Sequence, residues 1–99
     1  MLATLTWRVF KGSESYLPSE TEAVVSPAAL DLCERAEKYS PENPLYVVAL
    51  GAITNVASAL VLKPEIKENI VVVWLGGHGH NFPKTDEFNM RQDIAGVRV

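Results

Sequence analysis

Two runs, "LYVVAL" (45–50) and "IVVVWL" (70–75), are apolar or aromatic at every position. A strand with one wet face alternates apolar with polar residues, so an unbroken apolar run bounded by Pro44 and Gly51 suits a strand buried on both faces, as in parallel sheets. Between the two runs, "TNVASALVL" (54–62) has helical length, with Val56, Ala59 and Leu60 at helical spacing. Pro64 marks its end or the start of a short turn. Strand, helix, strand in that order is a βαβ unit, which requires parallel strands and a right-handed crossover. The expected fold class is therefore α/β: an open, mainly parallel sheet with helices on its faces.

Upstream, "WRVF" (7–10) reads as a short strand stopping at Lys11-Gly12, and the polar segment through Glu22 reads as a surface loop. Ser26 offers an N-cap hydroxyl and Pro27 fits the first helical position, which predicts a helix from Pro27 to Tyr39. Its buried face is Ala29, Leu32, Cys33 and Ala36, with Glu34 and Lys38 solvated on the other side. "SPENP" (40–44) is a loop, and no internal repeat or low-complexity tract is present.

The chain's 99 residues, 47% hydrophobic and 21% charged, suit one ordinary domain or a piece of a larger one. A net charge of -3 with no Lys/Arg cluster argues against nucleic acid as a partner, because phosphate binding needs concentrated positive charge. The single cysteine excludes an intrachain disulfide and suits a reducing compartment. "MLATLTWRVF" lacks the continuous apolar region of a secretory signal. The longest apolar stretch, Val47 to Leu62, contains Thr54, Asn55 and Ser58 and falls short of the roughly 20 residues that span a bilayer. A cytoplasmic location without a membrane partner is the resulting expectation.

Ligands of open parallel sheets gather beyond the carboxyl ends of the strands. Two loops lie there, "LGAITN" (50–55) and "GGHGHNFPKTDEFNM" (76–90). The second holds far more directed donors and acceptors than a turn requires, which points to a ligand. His78 and His80 form a bare H-x-H, a weak zinc signal without a partner at fixed spacing. Gly76-Gly77 lacks the Lys-Ser/Thr that would make a phosphate cradle. Cys33 reads as packing, Trp7 and Trp74 as core or rim residues, and Thr54-Asn55 most simply as a helix cap. Asp86 and Glu87, taken alone, also fit an ordinary solvated pair.

Taken in order, "VFKGSESYL", "SPAALDLCERA", "LYVVALGAITNVASAL" with "PEI", "IVVVWLGGHGHN" and "DEFN" resemble the middle of the inosine-uridine preferring nucleoside hydrolases. The resemblance covers nearly the whole chain and implies the Rossmann-like fold of that family, with residues 1–99 as the central part of one domain. It implies hydrolysis of a ribonucleoside to ribose and free base, calcium as cofactor, and a homo-oligomer when the domain is complete. Asn81, Glu87 and Asn89 match residues that hydrogen-bond the ribose hydroxyls, and the main-chain carbonyl of Leu50 matches a calcium ligand. These residue types suit those tasks, since a sugar hydroxyl both donates and accepts and calcium takes oxygen ligands, main-chain carbonyls among them. The family's aspartate cluster and the aspartate near its C-terminus have no counterpart in these 99 residues, so the resemblance is to an internal fragment. No catalytic residue is assigned. His78 and His80 stand where the family often has small residues. The alternatives are a non-catalytic remnant, or an α/β sugar-binding or interaction module.

Overall fold

Helix α1 (Pro27–Ala36) begins at the hydroxyl cap: Ser26 Oγ accepts a hydrogen bond from the Ala29 amide at 3.1 Å, with Pro27 in the first turn. The computed structural model describes residues 8–75 and 92–99. The helix stops at Ala36, short of Tyr39, because the Lys38 and Tyr39 amides turn back to the carbonyls of Arg35 and Ala36, and Asn69 Nδ2 also binds the Ala36 carbonyl. Ala29, Cys33 and Ala36 are buried, and Glu34 and Lys38 are exposed as expected. The ion pair on this helix is Asp31–Arg35, at 3.3 Å.

Strand β1 (Leu45–Ala49) and strand β2 (Ile70–Trp74) pair in parallel, in register from Leu45 opposite Ile70 to Ala49 opposite Trp74. Helix α2 (Thr54–Leu62) and a 3₁₀ helix (Pro64–Glu68) form the connection between them. The βαβ unit and the α/β class are as the sequence implies. A last short helix, α3 (Ile94–Arg98), packs near α2. One core cluster gathers Leu17, Ile53, Val56 and Ala57 over Val47, Ala49 and Trp74; a second joins Cys33, Ala36, Ala59 and Ile66 between α1, α2 and the 3₁₀ helix. Ser58, fully buried in mid-helix, is satisfied by the Val24 amide at 3.1 Å.

Two expectations need correction. The strands are not buried on both faces: Leu45, Val47 and Ala49 turn toward α2, while Tyr46 and Val48 remain 66% and 64% exposed. The physical reason is that α2, with α1 packed against it, covers one face of the pair, and no described element covers the other. Second, Arg8–Phe10 form no strand; Val9 is exposed, and the next residue, Lys11, gives its carbonyl to the Ala28 amide at the start of α1 instead of to a ladder.

An apolar face of Tyr46, Val48, Val71 and Val73, covered by no described element, promotes association. Sedimentation equilibrium of the 99-residue chain is expected to show concentration-dependent self-association, reduced by Val48→Lys. A monomer at every concentration would contradict this.

Candidate functional site

At the carboxyl end of β1 the chain turns at Gly51, whose carbonyl accepts Trp74 Nε1 at 2.7 Å, and enters α2. The N-cap of α2 is Ile53, which has no side-chain acceptor, so Thr54 and Asn55 do not cap the helix as the sequence suggested. They hold other segments. Asn55 Oδ1 accepts both the amide of Ser13 at 2.8 Å and its hydroxyl at 2.9 Å. Gly12 makes this approach possible, since a Cβ there would lie 2.7 Å from Asn55 Nδ2.

Thr54 Oγ1 donates to Asp93 Oδ2 at 2.5 Å. Asp93 is 2% exposed, and it also accepts the Leu17 amide on Oδ2 at 3.0 Å and the Gly96 amide on Oδ1 at 2.8 Å. Next to it, Gln92 Oε1 accepts the Tyr16 hydroxyl at 2.5 Å. A cleft of about 420 Å³ opens between these segments, lined by Ser13 to Tyr16 on one wall and by Ala52, Thr54 and Asn55 on the other. On the loop wall Glu14 pairs with Lys11 at 2.5 Å, with both side chains largely in solvent.

The lining offers hydroxyls, an amide, a carboxylate and an aromatic ring. Such a set can fix a small polyhydroxylated or heterocyclic ligand by hydrogen bonds and ring contact, because it supplies donors and acceptors together. Cys33 has no part in it: its thiol donates to the Ala59 carbonyl between the helices. Burial raises its pKa, partly opposed by Lys63, so it stays a protonated packing residue.

Leu50 directly follows β1, at the sheet end expected to hold ligands. One carbonyl is not a calcium site, since calcium takes about 6–8 oxygens. Among the described residues no group of three or more His, Cys, Asp or Glu stands together to hold a metal. The described residues therefore do not by themselves fit a calcium ion. Asn81, Glu87, Asn89, His78 and His80 lie outside the described residues. The two ends of that segment are placed: Leu75 binds the Ala49 carbonyl just past β2, and Gln92 sits on Tyr16 at the cleft wall.

No motif in the sequence marks Ser13, Tyr16 or Asp93 as a site residue. Asp93 had a signal, a capping residue directly before the apolar "IAGV". Ser13 and Asn55 are 42 positions apart, and nothing local announces their bond.

A sequence model described as inosine-uridine preferring nucleoside hydrolase matches residues 8–99. No curated protein and no solved structure matches the chain.

Proposed function

The chain belongs to the inosine-uridine preferring nucleoside hydrolase family, and from that premise we propose that it forms the substrate-holding part of a ribonucleoside N-ribohydrolase domain, which yields ribose and free base. The observation that carries the reading is the cleft of Ser13–Tyr16 and Ala52–Asn55 at the carboxyl end of a parallel pair, with the polar segment leaving at Leu75 and rejoining at Gln92 on its wall. Asn81, Glu87 and Asn89 are proposed to bind the ribose hydroxyls. Their role is to hold the sugar so that binding energy away from the breaking bond serves the transition state, with no proton transferred by any of them.

Calcium is proposed as the cofactor on the resemblance, with the Leu50 carbonyl as the donor from these residues. A cytoplasmic location, homo-oligomeric assembly and the placement of residues 1–99 in the centre of one domain belong to the same proposal. A second reading, a sugar-binding module without catalysis, draws support from the cleft lining, whose hydroxyls and amide can bind a ligand while its one carboxylate, Glu14, is paired with Lys11.

The purified 99-residue chain is expected to bind inosine or uridine and to release no reducing sugar from either. Sugar release abolished by a Glu87 substitution would overturn the expected inactivity. Failure to bind ribose, inosine or uridine with or without calcium would remove the substrate-holding role proposed for this chain.

A further inference from the structure

We propose that Asp93 is the positioning residue of the cleft, a single buried carboxylate that ties its two walls together and thereby sets the geometry in which a ligand is held. As a statement about nucleoside binding it rests on the function proposed above. Its three bonds reach three segments: the loop wall through the Leu17 amide, the helical wall through Thr54, and α3 through the Gly96 amide. Thr54 lines the cleft itself, and Leu17 directly follows Tyr16, which also lines it. The residue before Asp93 adds a further hold on the loop wall, because Gln92 accepts the Tyr16 hydroxyl.

The walls are joined elsewhere by Ser13 and Asn55, but that tie is only partly buried and water can replace it. At 2% exposure Asp93 has no such substitute, and hydrogen bonds to an ionised acceptor are the stronger kind. The surroundings are fitted to a carboxylate. All three partners are donors, whereas an asparagine offers one acceptor oxygen and would turn its NH₂ toward another donor. Position 96 is fitted as well: a Cβ there would stand 2.9 Å from Asp93 Cγ, so glycine lets the carboxylate fold back over the first turn of α3.

The test uses the 99-residue chain, with hydrogen exchange read amide by amide and inosine as the titrated probe. Asp93→Asn and Thr54→Val are expected to speed exchange of the Leu17 amide by roughly tenfold, the scale of one lost charge-assisted bond, while the β1–β2 ladder amides keep their wild-type rates. Thr54→Ser retains the hydroxyl and is expected to match wild type. Inosine affinity should fall in the first two variants and not in the third. Unchanged exchange at Leu17 in Thr54→Val would overturn the proposal, and so would an equal rise at every amide, which would mark a plain contribution to stability. If Asp93→Asn does not fold, the Val and Ser pair at position 54 still decides. If the wild-type chain binds no inosine, the nucleoside reading fails, and the exchange pattern alone judges the tie.

Discussion

Glu87→Gln is expected to lower kcat/KM for ribonucleoside hydrolysis by roughly ten- to hundred-fold, measured in a protein that joins these residues to the family's aspartate-bearing segments. Gln keeps the size of the side chain and removes the charge that makes a hydrogen bond to a carboxylate worth about 1.5–3 kcal/mol in a desolvated pocket. The loss should fall more on kcat than on KM if the contact tightens as the sugar flattens toward the transition state. Glu34→Gln is the control, because Glu34 is exposed on the outer face of α1. Both variants are compared on one nucleoside, with circular dichroism confirming the fold. Activity of Glu87→Gln within a factor of about two of wild type, well below the hydrogen-bond energy, would overturn the ribose-binding role proposed for Glu87.

Ile66→Ala is expected to cost about 2–5 kcal/mol of folding stability, the usual range for truncating a large buried aliphatic. Ile66 is 1% exposed on the 3₁₀ helix and fills the second core cluster against Cys33, Ala36 and Ala59. Ala36 and Ala59 are fully buried and have no longer side chains to move into the space, so the cavity should persist. Domains are stable by only about 5–15 kcal/mol in all, so the loss is a large share of the total. Urea titration followed by far-ultraviolet circular dichroism reads the change, with Ile66→Val expected at about 0.5–1.5 kcal/mol. A loss for Ala no larger than that for Val would mean that Ile66 does not join α1, α2 and the 3₁₀ helix.

The hydrolase resemblance was legible because its segments keep their order along the chain, and the family match over residues 8–99 agrees with it. The cleft was legible only as a location, the carboxyl end of the strands. Asn81, Glu87 and Asn89 have their support in sequence alone, since they lie outside the described residues.

Local chemistry determined most of the elements. The Ser26–Pro27 start of α1, the strand–helix–strand order of 45–74 and the turn at Pro64 follow from dihedral preference, capping and apolar period, which neighbouring residues settle among themselves. Burial was decided at another level. An apolar run states what a strand is able to bury, not what will cover it, and so Tyr46 and Val48 face outward despite their composition. The uses of Thr54 and Asn55 were likewise decided by tertiary structure: both looked like caps, yet they bind Asp93 and Ser13, 39 and 42 positions away. A hydroxyl or an amide bonds whichever group packing brings within reach, and that is set by the assembled fold, with no trace in the residues alongside.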